Sequence, residues 1–319
     1  MTSVRTARPR PTTGRGLRRA VVAPAALALA LGLAACGTES DAADGESSTG
    51  EDETSISVAV PPSGWDEGIA VSYLWKQILE DEGYDVDMRD GADNGIIYTA
   101  LAGGDFDVYF DAWLPLTHAS YLETYGDQIT ELGTWYDDAK LTIAVNEDSP
   151  ARSLEDLATM AGEYGNRLVG IEAGAGLTEV TQDAVIPTYG LEGMDYVISS
   201  TSAMLTELES ATESGENIAV TLWRPHWAYD EYPVRDLEDP QGALGDAEDI
   251  RTYGTGDFTE RYPTLTKLIG AFEMSSDQLF SLENMMFNSD EYSSEDEAAR
   301  AWLEQNPTFV DDLKAAAGV

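Results

Sequence analysis

Short apolar runs alternate along the chain with longer stretches whose apolar residues recur every three or four positions. That is the pattern of strands and amphipathic helices in succession. Residues 55–59 read as a strand, and 69–82 as a helix with Val71, Leu74 and Ile78 on one face. Strands follow at 84–88 and 107–112, with a short helix at 96–102 between them, and 141–145 is a strand leading into a second unit. There the alternation resumes: strand 167–171, helix 177–189, strand 195–198, helix 202–214, then strand 218–222 running into Trp223. Beyond about Ile250 the chain turns helical, at 264–272, 276–287, 294–304 and 309–317. The fold class is α/β. Four C-terminal helices need a sheet to cover, and the first unit is otherwise short of helices. A discontinuous first lobe, 55–145 plus 245–319, and a continuous second lobe, 146–244, are therefore expected. Two chain crossings between lobes would make a hinge, and interdomain clefts are favoured ligand sites.

The N-terminus changes the picture of where this body works. Residues 1–20 carry Arg5, Arg8, Arg10, Arg15, Arg18 and Arg19 and no acid, and an apolar run from Ala20 to Leu33 follows. The run is too short for a comfortable membrane span and reads as a secretory signal, 1–35. It ends Leu33-Ala34-Ala35-Cys36-Gly37, which looks like a bacterial lipoprotein cleavage box. Cys36 is the only cysteine, so no disulfide can form within the chain and the thiol is read as the lipidation site. Arg18-Arg19 is only a weak twin-arginine export signal. Residues 36–54 are acidic and almost devoid of apolar side chains, as in a disordered tether.

Loss of 1–35 would leave 12 basic against 59 acidic residues and take the formal charge from −41 to −47. Such acidity excludes nucleic acid as a partner and disfavours adhesion to anionic lipid. The membrane is then reached through the lipid anchor alone, and the protein is expected to be monomeric and extracytoplasmic.

Four words carry the candidate chemistry: Trp65-Asp66-Glu67, Ala112-Trp113-Leu114-Pro115-Leu116-Thr117-His118, Gly174-Ala175-Gly176-Leu177 and Leu222-Trp223-Arg224-Pro225-His226-Trp227. They offer three tryptophans just past expected strands, where α/β proteins bind ligands, together with a histidine and a helix start. An indole face attracts a cation, and free N–H groups at a helix start attract an anion. A quaternary ammonium has no N–H to donate, so carboxylate hydrogen bonds cannot read it, whereas its methyl-borne charge suits aromatic faces. Each desolvated contact contributes about 2 kcal/mol, and micromolar binding needs about −8 kcal/mol. Amides and an imidazole supply donors for a carboxylate without a fully buried fixed charge.

At these words the chain resembles the glycine betaine substrate-binding proteins of ABC importers, over nearly all of the expected mature length. The resemblance implies a two-lobed, periplasmic-binding-protein-like clamp of type II, each lobe a central sheet flanked by helices. It implies a box of Trp65, Trp113 and Trp223 around a trimethylammonium group. His118 and the N–H groups of Gly176 and Leu177 become the carboxylate clamp, and a membrane permease with its cytoplasmic ATPase become the partners. Asp66, Glu67 and Arg224 are further ligand-binding candidates. Tyr98 stands where some family members have a tryptophan, and packing is expected there. Trp75 and Trp302 fit helix faces, Trp135 fits packing beside Tyr136, and His226 fits a structural role at the Pro225 turn.

Choline and carnitine receptors of the same fold compete with a betaine receptor, since Asp66 and Glu67 suit a cation and His118 suits a carboxylate. A secreted hydrolase is disfavoured: there is no Gly-x-Ser-x-Gly elbow and no His-Glu-x-x-His zinc word. No cofactor and no metal are expected.

Overall fold

The computed structural model describes residues 53–289 and 291–319. The expected signal segment, Cys36 and most of the expected tether lie outside the described residues. In chain order the elements begin β1 (Ser55–Val60), α1 (Asp66–Asp81), β2 (Asp85–Asp90), α2 (Asn94–Gly103), β3 (Val108–Leu114), α3 (Ala119–Tyr125) and β4 (Ile129–Asn146). Then come α4 (Leu154–Thr159), β5 (Arg167–Val169), α5 (Gly176–Val180), a π-helical turn (Thr181–Val185), α6 (Ile186–Tyr189), β6 (Asp195–Val197), α7 (Thr201–Ser214), β7 (Ala219–Arg224), α8 (Ala228–Glu231) and β8 (Val234–Asp236). The chain closes with β9 (Glu248–Thr255), α9 (Phe258–Arg261), α10 (Pro263–Gly270), α11 (Ser276–Phe287), α12 (Glu295–Gln305) and α13 (Phe309–Ala317).

The strands form one path, β2-β1-β3-β9-β4-β7-β5-β6, with β8 beside β4. β4 organises it. Its residues 129–139 pair with β9, and 140–145 pair antiparallel with β7. β1 and β3 run parallel to each other, β5 runs parallel to β7, and β9 is antiparallel to both β3 and β4. It follows that β3 points the same way as β4 while β7 points back. The two strand sets lie one beyond the other along β4, with the C-terminal ends of β1 and β3 turned toward those of β5 and β7.

The C-terminal helices cover the first strand set, as the pattern of apolar positions suggests. α11 and α12 pack on α1, and α10 packs on β4 and α13. At the core, Trp75 stacks on Phe110 with ring centres 5.3 Å apart, and Trp302 meets Phe309 edge-on at 5.1 Å. Trp135 is buried and donates its indole N–H to the Phe110 carbonyl at 2.6 Å.

Two elements depart from the sequence pattern. Residues 129–140 begin β4 well before Leu141, and Glu248–Thr255 is a central strand in a segment to which the sequence pattern assigns no strand. Its buried Glu248 and Thr255 are satisfied by hydrogen bonds that no hydropathy pattern displays. The acidic tether also yields its last residues to the body. Glu53 donates its N–H to the Arg261 carbonyl at 3.0 Å and accepts from the Arg261 guanidinium at 2.9 Å.

Candidate functional site

Four chain segments meet where the two strand sets face each other. Trp65 sits in the loop between β1 and α1, Trp113 and Trp223 are the penultimate residues of β3 and β7, and Gly176–Leu177 open α5. Together with Glu67, Thr117, His118, Leu141, Ile171 and Ala175 they line one cavity, whose unfilled volume of about 320 Å³ is partly continuous with solvent. The three tryptophans are at most 7 % exposed. Rings held this far from water give a cation its strongest aromatic attraction.

Two of the three indoles are tied down at the N–H end. Trp113 donates to Asp111 Oδ1 at 2.9 Å. Trp65 reaches Glu172 Oε2 at 3.4 Å, and the same carboxylate accepts from the Thr201 N–H at 2.8 Å and hydroxyl at 2.9 Å, fastening it to the start of α7. The Trp223 N–H is directed at Glu67 but falls outside hydrogen-bond geometry. With the Trp65 and Trp113 edges anchored, their ring faces are left for a ligand.

His118 follows Trp113 through a turn that Glu248 holds. That carboxylate accepts from the N–H groups of Leu116 at 2.7 Å and Thr117 at 2.8 Å, and from the Thr117 hydroxyl. The imidazole is 1 % exposed, and burial pushes its pKa down to about 3, so it is neutral at ordinary pH. Its Nδ1 accepts the Trp113 backbone N–H at 3.0 Å, and the Tyr98 hydroxyl lies 3.2 Å away. The ring proton must then sit on Nε2, which is 2.6 Å from the Asn94 amide. That proton needs an acceptor, so the proton count turns the Asn94 amide oxygen toward the ring. Tyr98 stacks on Tyr121 at 4.8 Å and walls off this histidine.

Gly176 marks the closest approach of the two loop sets. A Cβ there would lie 2.1 Å from the Thr117 carbonyl oxygen, a contact that only glycine avoids. As first residues of α5, Gly176 and Leu177 have N–H groups with no carbonyl one turn earlier in the helix to receive them.

Two candidates, Asp66 and Arg224, stand apart from the cavity lining, and so does His226. Asp66 accepts from the Trp227 indole N–H, and burial pushes its carboxyl up to about 6 even though that bond favours the anion. Arg224 is engaged by both oxygens of Asp236, at 2.8 and 3.3 Å, with its guanidinium 3.5 Å over the Tyr229 ring. His226 accepts the Ala228 N–H at 3.0 Å and meets Trp223 edge-on at 4.7 Å, shaping the turn after Pro225. Asn94, Asp111, Glu172 and Glu248 were not foreseen as parts of the site. Each is a polar residue whose partner is at least two positions and up to 132 away in sequence, and a single chain carries no signal of such pairings.

The architecture, an open mixed sheet with flanking helices and a cavity between loop sets, defines a type II periplasmic-binding-protein fold. A family model described as the substrate-binding domain of the ABC-type glycine betaine transport system, OpuAC, matches residues 54–305, and the chain belongs to that family. It is similar to the glycine betaine/carnitine transport binding protein GbuC of Listeria monocytogenes, 31 % identical over 145 residues. That match spans 45 % of this chain and 47 % of GbuC, about half the length of the curated relative. Lactococcal OpuAC, solved closed and complexed with glycine betaine, superposes with a TM-score of 0.75 at 26 % identity, over 82 % of this chain and 99 % of that one. The glycine/betaine/L-proline-binding protein ProX of Borrelia burgdorferi gives 0.75 at 27 %, with the same coverage. The family is one of extracytoplasmic substrate-binding transport proteins and not of enzymes. Among the described residues no helix is long and apolar enough to cross a membrane, and no group of three or more His, Cys, Asp or Glu residues is placed to hold a metal ion.

Proposed function

We propose that this protein captures a quaternary ammonium compatible solute, glycine betaine above all, and delivers it to an ABC permease driven by its ATPase. The observation that carries the reading is the convergence of Trp65, Trp113 and Trp223 with the start of α5 on one cavity. The indole faces take the trimethylammonium group. The N–H groups of Gly176 and Leu177 take the carboxylate, and His118 adds its Nε2–H by exchanging Asn94 for a ligand oxygen. The family and the betaine complex of lactococcal OpuAC support the same ligand. Residues 55–145 with 245–319, and 146–244, act as lobes that hinge near the middle of β4. Closure then follows from tighter ligand binding by the closed state. A monomer anchored through lipidated Cys36 completes the proposal.

Isothermal titration of the full chain with glycine betaine and then with choline tests the reading. Micromolar betaine binding with much weaker choline binding is the expected result, and no heat with either ligand would overturn it. A choline or carnitine receptor is the second reading, favoured by Glu67 at the cavity wall and, for carnitine, by the likeness to the glycine betaine/carnitine binding protein GbuC. His118→Ala separates betaine from choline, because only a carboxylate-bearing ligand uses the Nε2–H. Betaine affinity should fall by about tenfold, 1.4 kcal/mol, with choline little changed. Equal losses for both ligands would remove His118 from the clamp.

A further inference from the structure

The cavity wall hides a pair of acids that ligand contact alone does not explain. Glu67 lines the cavity from the first turn of α1, and Asp111 lies behind it on β3, outside the lining. Glu67 is 2 % exposed and Asp111 fully buried. Asp111 spends Oδ1 on the Trp113 indole, but its Oδ2 and the Oε2 of Glu67 have no hydrogen-bond partner among the described residues. Gly68 brings the two together. A Cβ at that position would come within 2.6 Å of the Asp111 carboxyl carbon and of Oδ2, so the α1 turn beside Glu67 rests directly on this carboxyl.

The titratable groups facing the pair are acids and phenols. Glu283 from α11 acts on Glu67, while Tyr109 on β3 and Tyr98 on α2 face Asp111. Asp66 adds its charge through Glu283, and the nearby imidazoles of His118 and His226 are held neutral by burial. Burial raises Asp111 to about 8, even though the Trp113 hydrogen bond and the nearby Tyr109 hydroxyl favour the anion. Burial first, and the Asp111 charge second, lift Glu67 well above the usual carboxylate range. Two adjacent carboxyls in such a place cannot both ionise, and they titrate as a unit.

We propose that Asp111 is a positioning residue that shares one proton with Glu67 in the ligand-free protein, and that a cation entering the tryptophan cage expels this proton to solvent. The inference rests on the quaternary-ammonium reading above. The proton leaves a carboxyl oxygen of the pair for water, and the negative charge left behind faces the ligand's ammonium across the wall. A cation favours the ionised pair, so the complex binds fewer protons than the free protein. By linkage, affinity rises with pH up to the range where the free pair ionises, and levels off above it.

Isothermal titration of the full chain with glycine betaine in phosphate and in Tris, stepped from about pH 6 to about pH 9, counts the protons released. The wild type should show a binding enthalpy that differs between the buffers, by an amount corresponding to release of a fraction of a proton. In Asp111→Asn, release should shift to lower pH, because the neighbouring charge that raises Glu67 is gone. Glu67→Gln removes the acid that lines the cavity and should reduce release, leaving Asp111 alone to titrate, and it serves as the second variant if Asp111→Asn does not fold. Equal enthalpies in both buffers throughout this range would overturn the shared proton while leaving the ligand reading intact. Unchanged release in folded Asp111→Asn would overturn the role of Asp111. Absence of binding in every buffer would instead overturn the ligand reading, and the shared proton with it.

Discussion

Trp113→Ala should weaken glycine betaine binding by at least about tenfold, 1.4 kcal/mol, with Trp223→Ala close behind. On the proposed reading, truncation removes an aromatic face from a cage whose members are each worth about 2 kcal/mol to a desolvated cation. Trp113 carries a second duty, because its backbone N–H fixes the His118 tautomer and its indole N–H occupies Asp111. Alanine keeps the first of these and forfeits the second, leaving both Asp111 oxygens without a partner. The ring is also part of the buried core. A large-to-small change of this kind costs stability, about 3–5 kcal/mol for a tryptophan that packs fully. Affinity must therefore be read beside a thermal melt and far-UV circular dichroism. Trp113→Phe divides the effects, since it retains a ring face and drops the N–H. Titration should find Phe between wild type and Ala. An alanine variant that is folded and binds betaine as tightly as wild type would remove Trp113 from the cage.

That the sequence points to Trp65, Trp113 and Trp223, which the structure brings to one cavity, has a physical basis. Trp65, Trp113 and Trp223 each follow or end a short apolar run, and a large ring at a strand's C-terminal end is placed for a ligand by topology alone. The C-terminal helices are equally legible, because amphipathic faces repeat over three turns: α11 begins at Ser275 with a capping box and ends at Phe287, as the pattern indicates. β9 is not legible. Its segment, EDIRTYGT, buries Glu248, Thr252 and Thr255. Glu248 is there to hold the Thr117 turn, a relation across 131 residues. Asp66 and Glu67 look like a solvated helix start, yet both are buried. One is tied to Trp227, and the other lies within reach of the Asp111 and Glu283 charges. Hydropathy reports how a residue behaves alone, whereas these acids are buried because of what surrounds them.

Gly176→Ala should be the most damaging small change in the site, lowering betaine affinity on the order of a hundredfold, about 2.7 kcal/mol. The added methyl would meet the Thr117 carbonyl oxygen at 2.1 Å and its carbon at 2.9 Å. These are backbone atoms in a turn pinned by three hydrogen bonds to Glu248, so they cannot swing aside like a flexible side chain. Relief comes only by drawing the α5 loop away from the β3 loop. That motion takes the Gly176 and Leu177 N–H groups out of reach of a carboxylate whose ammonium sits among the tryptophans. On the two-lobed reading it is also the opening motion, so the methyl acts as a wedge against closure. Stability should change little, because the open form has no clash and alanine is a better helix former than glycine by about 1 kcal/mol. Gly174→Ala, two residues earlier, is the control. Its Cβ would meet Asp93 at 3.4 Å, an ordinary contact, and its affinity should stay within about twofold of wild type. Binding isotherms and thermal melts of both variants decide the matter. Wild-type affinity in a folded Gly176→Ala would mean that the close approach of the two loops contributes nothing to capture.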